Sequence, residues 1–350
     1  MRILVATDAW HPQVNGVVRT LTMTAEAARA AGAEISFLTP QSFRTVALPS
    51  YPDLRLALPE PGKIADLIAQ ARPDSIHIAT EGPIGIAVRR YCRKYRLPFT
   101  TSFHTRFPEY VSARLPVRES WIWSALRWFH SASQAVMAAT PALAEELRGR
   151  GFRNVVVWPR GVDTEMFRPR VVDSGLPRPV FLSVGRLAVE KNLEAFLDLD
   201  LPGSKLVVGD GPARAALLRK YRDVTFPGAL HGEALTEVYA SADVFVFPSR
   251  TDTFGLVLLE ALASGLPVAA FPVAAPRDVI GSAGVGCLNE DLRAACLSAL
   301  DIPSQRCREF AASQSWEASA QTFVNNISDV ASGAGTLAQP KLEPRLAISP

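Results

Sequence analysis

Two patterns of apolar and polar positions alternate along this chain. Short apolar or β-favouring runs recur at residues 2–6, 35–38, 75–79, 99–105, 134–139, 155–157, 180–184, 206–212, 224–230 and 244–247. Each is too short for a helix, and turn residues bound most of them, so each reads as a strand. Between them, helix-period stretches fall at 17–31, 64–70, 84–95, 120–129, 256–263 and 315–330. Thr140 is placed to cap a further helix, with Pro141 at its first position. Gly32 closes the first helix, and Gly265 and Pro267 close the one over 256–263. Strands alternating with helices predict an α/β protein with parallel sheets and ligands at the carboxyl ends of the strands.

The punctuation divides the chain. Residues 168–179 are rich in proline and charge and read as a linker. The expectation is an N-terminal domain over 1–167, a C-terminal domain over 168–311, a helix over 312–330 and a mobile tail over 331–350. With 350 residues and 48% hydrophobic content the chain has material for two cores.

The chemistry concentrates after the strand at 244–247. Pro248 and Ser249 stop that strand, a loop carries Asp252, Phe254 and Gly255, and the next helix contains Glu260. Amides of Gly255, Leu256 and Val257 at that helix start, helped by the helix dipole, suit an anion. A carboxylate beside a phosphate would repel it, so Asp252 and Glu260 suit hydroxyls on either side. A sugar joined through a diphosphate to a ribose has that layout. Arg186 and Lys191 bracket the loop after the strand at 180–184 and could neutralise a diphosphate. Gly16, just ahead of the first helix, permits close approach of a ligand, but no Gly-x-Gly-x-x-Gly fingerprint follows the first strand.

These residues resemble a known family. Asp252 and Glu260, eight apart, are similar to the paired acids of the retaining GT-B glycosyltransferases of family 4, with aspartate where that family usually has glutamate. The resemblance extends to Asn15-Gly16-Val17, to His104 within Ser102-Phe103-His104-Thr105-Arg106-Phe107, to Arg160-Gly161-Val162-Asp163, to Arg186 and Lys191, and to Gly209-Asp210-Gly211-Pro212. It implies a GT-B fold: two Rossmann-like domains facing across a cleft. It implies that His104 and Asp252 contact the donor sugar, that Arg186 and Lys191 hold the diphosphate, and that Glu260 takes the ribose. Gly16, Phe254, Gly255, Leu256 and Val257 would help hold the donor, and Leu230 would lie by the base. No cofactor beyond the nucleotide sugar, a UDP-sugar, and no metal is implied. Asp198-Leu199-Asp200 matches a metal-binding pattern but reads as a helix end.

Charge adds one feature. The whole chain carries only +3, yet residues 85–130 hold nine arginines and lysines against Glu109 and Glu119. Arg89, Arg90, Arg93 and Lys94, together with Trp121, Trp123 and Trp128, suit a surface lying on anionic lipid. No nucleic-acid module is recognisable. Four cysteines without metal-ligand spacing suit reduced thiols, and the N-terminus lacks a signal-peptide pattern. The expected location is the cytoplasm, peripheral on the inner face of the cell membrane.

The Asp252-Thr253-Phe254-Gly255 form of the motif, the Asp8-Ala9-Trp10 opening and the Ser102-Phe103-His104-Thr105 segment together resemble the branch of that family that glycosylates diacylglycerol and related lipids, so the resemblance implies transfer of a hexose or hexuronic acid to such a lipid. Alternatives are a GDP-mannose-dependent α-mannosyltransferase acting on a lipid-linked glycan, a nucleotide-sugar epimerase, and a noncatalytic nucleotide-sugar-binding protein.

Overall fold

A computed structural model describes residues 1–12, 15–48, 51–106 and 117–333 of the chain. Strand β1 (Arg2–Ala6) leads to helix α1 (Gly16–Ala28) and strand β2 (Glu34–Leu38). An antiparallel hairpin of β3 (Thr45–Leu48) and β4 (Tyr51–Ala57) follows. Then come α2 (Pro61–Ala71), β5 (Ser75–Ile78), α3 (Pro83–Tyr95), β6 (Thr100–Phe103), α4 (Glu119–His130), β7 (Ala135–Ala138), α5 (Pro141–Gly149) and β8 (Val155–Val157). The second half runs β9 (Val180–Val184), α6 (Glu194–Leu197), β10 (Ser204–Val208), α7 (Arg214–Lys220), β11 (Thr225–Gly228), α8 (Gly232–Ser241) and β12 (Val244–Phe247). It continues with α9 (Leu256–Ala263), β13 (Val268–Ala270), α10 (Ala274–Ile280), β14 (Gly286–Leu288), α11 (Leu292–Ala299), α12 (Ser304–Ala312) and α13 (Trp316–Gly333).

Two six-stranded parallel sheets result, ordered β2-β1-β5-β6-β7-β8 and β11-β10-β9-β12-β13-β14. In each, the chain first winds outward and then returns beside its first strand. The switch falls between β1 and β5 in one sheet and between β9 and β12 in the other. Helices cover both faces, so the central strands are buried throughout, as at Val244–Phe247. This is the α/β architecture that the alternating pattern predicts.

Local chemistry sets the element ends. Asn15 accepts hydrogen bonds from the amides of Val17 and Val18, so α1 begins at Gly16, one residue before the predicted start. Thr140 caps α5 through the amide of Leu143, with Pro141 at the first helical position. The Asp8 carboxylate caps α3 from a distance, taking the amides of Ile84 at 2.8 Å and Gly85 at 3.3 Å. Burial raises the Asp8 carboxyl pKa, and those amides and Thr80 pull it back down.

The chain crosses between its domains twice, and the crossings touch. Val162 forms an isolated parallel bridge with Ser315, and its amide donates to the Gln314 carbonyl at 2.9 Å. Helix α13 then lies against α1. Its Phe323 packs on Trp158, with ring centroids 4.6 Å apart, and on His77 at 5.0 Å.

The cysteines are unpaired: Cys92, Cys296 and Cys307 are buried and Cys287 is half-buried. Burial raises the first three thiols to about 12, which makes them poor nucleophiles at neutral pH. Most of the tail expected over 331–350, and Glu109 and Arg114 of the basic region, lie outside the described residues.

Candidate active site

Four loops meet at one crevice, three at the switch points and one from the strand beside β5. The loops after β1 and β6 come from the N-terminal domain, and those after β9 and β12 from the C-terminal domain. Crevices at the carboxyl ends of parallel strands are where such folds bind ligands. Contacts cross this crevice at several points. The Thr253 hydroxyl donates to the His104 carbonyl at 2.8 Å. A Cβ built on Gly16 would sit 3.8 Å from Leu256 Cδ1. Further along, the Ala142 amide at the start of α5 donates to Asp278 at 3.0 Å.

On the C-terminal side, Lys191 ends a short 3-10 turn, and its Nζ lies 2.5 Å from Asp252 Oδ1. The other Asp252 oxygen, Oδ2, is buried with no hydrogen-bond partner among the described residues. Arg186 is exposed on the same loop as Lys191. Gly255, with φ of 82°, is the N-cap of α9, and no side chain caps that helix start. Its first amides therefore keep their affinity for an anion. Phe254, Val257 and Leu230 are half-buried and pack on the core of this domain.

Glu260, 4% exposed, sits one turn into α9. The Tyr239 hydroxyl donates to its Oε2 at 3.0 Å, and the Arg19 guanidinium lies 2.7 Å from Oε1. Burial raises the carboxyl pKa; Arg19 and Tyr239 pull it back down. Tyr239 is itself buried, which holds its hydroxyl in the protonated, donating form.

On the N-terminal side, His104 follows β6 directly. Its Nδ1 lies 3.3 Å from the Arg160 guanidinium, and its Nε2 is buried without a partner among the described residues. Burial, and after it the charges of Arg160 and His77, push the His104 pKa well below its ordinary value. The ring is therefore neutral at neutral pH. Burial lowers the Arg160 guanidinium to about 9, so it still carries its charge there.

The structure brings His104, Asp252, Lys191, Glu260, Gly16 and the start of α9 to one crevice. The sequence reading missed Arg19, Thr253 and the part played by Arg160. Arg19 lies one turn after the cap at Asn15, which is the only local hint that it faces the same crevice.

The basic aromatic surface needs two corrections. Arg89 is 2% exposed and donates to the carbonyls of Phe129 and Trp128, both at 2.7 Å, so it ties α3 to α4. Trp123 is 3% exposed, stacks on Phe103 and donates to Glu119. Both belong to the interior. Arg90, Arg93 and Lys94 are exposed, as are Trp121 at 66% and Trp128 at 51%. Among the described residues no helix is long and apolar enough to cross a membrane. Asp198 sits at the end of α6 and accepts from the Tyr221 hydroxyl at 2.6 Å.

Comparison with known proteins matches these halves separately. Residues 14–166 match the model described as Glycosyltransferase Family 4, and residues 178–301 match Glycosyl transferases group 1. The chain is 31% identical to a GDP-mannose-dependent alpha-mannosyltransferase of Mycobacterium tuberculosis, over 80% of this chain and 81% of that one. It is 33% identical to the sulfoquinovosyl transferase SQD2 of Arabidopsis thaliana over 69% of this chain, a match that spans 52% of the plant protein. An alpha-monoglucosyldiacylglycerol synthase of Streptococcus pneumoniae is 26% identical over 93% of this chain and 84% of its own. Among solved structures, sucrose-phosphate synthase of Thermosynechococcus elongatus superposes with a TM-score of 0.76 at 19% identity, covering 95% of this chain and all of that one. Anabaena HepE in complex with UDP-glucose gives 0.70 at 15% identity, over 94% of this chain and all of that one. With two facing parallel-sheet domains and matches of this extent, the chain belongs to glycosyltransferase family 4 and is a glycosyltransferase of the GT-B fold.

Proposed function

We propose that the protein is a retaining transferase that moves a hexose or hexuronic acid from a UDP-sugar to diacylglycerol or a related membrane lipid. One observation carries the sugar site. Among the described residues, Asp252 Oδ2 and His104 Nε2 are buried polar atoms without partners, on loops joined by the hydrogen bond from Thr253 to the His104 carbonyl. A carboxylate oxygen accepts and a ring N–H donates, so together they suit the hydroxyls of a sugar.

In this reading the diphosphate lies against the start of α9, with Lys191 and Arg186 neutralising the charge that grows as its bond to the sugar breaks. Glu260 accepts from the ribose hydroxyls. The acceptor hydroxyl attacks the anomeric carbon on the face the diphosphate leaves. Its proton passes to a phosphate oxygen of the leaving nucleotide. Neither a protein nucleophile nor a metal is required. The likeness to a glucosyldiacylglycerol synthase and to a sulfoquinovosyl transferase supports a lipid acceptor. Exposed Trp121 and Trp128 and the cations Arg90, Arg93 and Lys94 would rest peripherally on anionic lipid at the inner face of the cell membrane.

A second reading has its own support: three GDP-mannose-dependent alpha-mannosyltransferases align over 80% to 94% of this chain. The test is incubation with diacylglycerol vesicles and UDP-glucose, UDP-glucuronate or GDP-mannose in turn. Products are identified by mass spectrometry and the anomeric configuration by NMR. An α-linked glycolipid from a UDP-sugar is expected. Turnover of GDP-mannose alone selects the second reading, and an inverted product removes the mechanism.

A further inference from the structure

His104 raises a question that its place beside the sugar does not answer: which of its two nitrogens carries the proton. Arg160 supplies the answer. A guanidinium has five N–H donors and no acceptor. The ring nitrogen that faces it at 3.3 Å, Nδ1, must therefore be the bare one. A neutral imidazole has one proton to place, which leaves it on Nε2.

Arg160 is fixed in turn. It is buried, its Nη1 donates to the Trp158 carbonyl at 2.6 Å, and its guanidinium lies 4.2 Å from the centre of the Trp158 ring. Trp158 also meets the His104 ring edge-on at 5.8 Å. Among the described residues Arg160 has no carboxylate partner within ion-pair distance. A buried cation without a counter-charge opposes a second positive charge beside it. The other histidine near this group, His77, is held between the hydroxyls of Thr100 and Ser102 and is neutral as well.

We propose that Arg160 is a positioning residue that holds His104 in its neutral, Nε2-protonated tautomer, so that the ring offers a single N–H to a hydroxyl oxygen of the transferred hexose. Two benefits follow. The sugar meets a donor whose direction is set before it arrives, which saves reorganisation during transfer. The anomeric carbon also gains positive charge as the bond to diphosphate breaks, and a neutral ring does not oppose it where an imidazolium would. The inference rests on the proposed reading of the crevice as a nucleotide-sugar site. Its first test does not, because the tautomer can be read without any ligand.

The full chain, labelled with 15N in its five histidines, is examined by long-range proton–nitrogen correlation NMR. The His104 signals are those lost in His104→Asn. The wild type is expected to show a protonated Nε2 and a bare Nδ1 at pH 7. Arg160→Met, which keeps the chain length and removes both charge and donors, should shift His104 towards a mixture of tautomers. The same variant should bind UDP-glucose or GDP-mannose, whichever the wild type uses, about tenfold more weakly and the bare nucleotide as before. Arg160→Lys should restore much of the wild-type spectrum. A proton on Nδ1, or an imidazolium at pH 7, in the wild type overturns the proposal, and so does a folded Arg160→Met with an unaltered spectrum. Should Arg160→Met fail to fold, Arg160→Gln takes its place: its amide can accept as well as donate, so a mixture of tautomers is expected and an unaltered spectrum overturns the proposal. If the wild-type spectrum is as expected but no nucleotide sugar binds, the transferase reading fails and the tautomer assignment stands.

Discussion

The Arg19 guanidinium, one turn into the first helix of the N-terminal domain, lies 2.7 Å from a carboxylate oxygen of Glu260, one turn into a helix of the C-terminal domain. The pair joins the two walls of the crevice. It also occupies the carboxylate proposed to take the ribose, so an arriving nucleotide must share Glu260 with Arg19 or displace it. Glu260→Gln keeps the shape and an acceptor for Tyr239 but removes the charge. It is expected to weaken donor binding ten- to a hundredfold by titration calorimetry, the scale of one charged hydrogen bond. An unchanged Kd would take Glu260 out of the donor site. Arg19→Met should cost about 2 kcal/mol of stability, less than a fully buried pair would because the arginine side chain is one-third exposed.

Lys191 and Asp252 touch, yet the proposed roles differ. Lys191 answers charge that appears only as the diphosphate departs. Lys191→Ala is therefore expected to lower kcat by about a hundredfold, with a smaller change in the KM of the nucleotide sugar. Asp252→Asn should act mainly on that KM. Steady-state kinetics with the donor varied separates the two, and equal effects on both constants in both variants would contradict the division of roles.

Two neighbours on α3 should behave oppositely. Arg89→Met strips two hydrogen bonds from the carbonyls of Trp128 and Phe129 and should destabilise the protein by about 2–3 kcal/mol in urea unfolding. The triple change Arg90→Ser, Arg93→Ser, Lys94→Ser should leave stability nearly untouched. It should weaken binding to phosphatidylserine vesicles by about 3 kcal/mol, roughly 1 kcal/mol per cation. Vesicle sedimentation that does not distinguish the triple variant from wild type removes the membrane face.

Acid should destabilise the fold through its neutral histidines. Burial lowers the His77 pKa from 6.5 to about 3, so between those values the unfolded chain holds a proton that the native ring refuses. Stability is then full above about pH 6.5 and falls as the pH drops towards 3, by up to about 1.4 kcal/mol per pH unit for this group. His104 is shifted in the same direction and adds to the slope. Urea midpoints measured from pH 7 to pH 5 check this. His77→Gln should flatten the curve, and a flat wild-type curve would contradict it.

Much of this architecture is visible in the order of residues. The strands at 155–157, 180–184 and 244–247 and the helix at 256–263 match the sequence reading to the residue. Each is an apolar run with a proline or glycine within two residues of its end. The basic aromatic face shows where composition misleads and periodicity would not. The buried positions of α3 are Ile84, Gly85, Val88, Arg89 and Cys92, and Arg89 falls on that stripe. Trp123 falls on the stripe of α4 with Leu126, Phe129 and His130, while Trp121 and Trp128 lie off it. Counting charges and tryptophans over 85–130 pools both faces. The β3–β4 hairpin escaped because it belongs to neither parallel sheet, so the strand–helix alternation gives no place for it. Arg19 and Arg160 escaped for another reason. Their partners, Glu260 and His104, reach them only once the sheets have formed, and no local spacing records such a meeting.

The paired crossings at Val162 and Ser315 limit how the lobes can move. A Cβ on Gly161 would fall 2.4 Å from the Trp316 amide nitrogen and 2.6 Å from the Ser315 carbonyl carbon, so the two segments leave no room for a side chain between them. Two segments bound together at one place act as a single pivot, and opening becomes a rotation about it instead of a loose separation. Gly161→Ala would wedge that pivot apart. Because Arg160 is the immediate neighbour of Gly161, the joint between the lobes and the residue proposed to set the His104 proton share one short piece of chain.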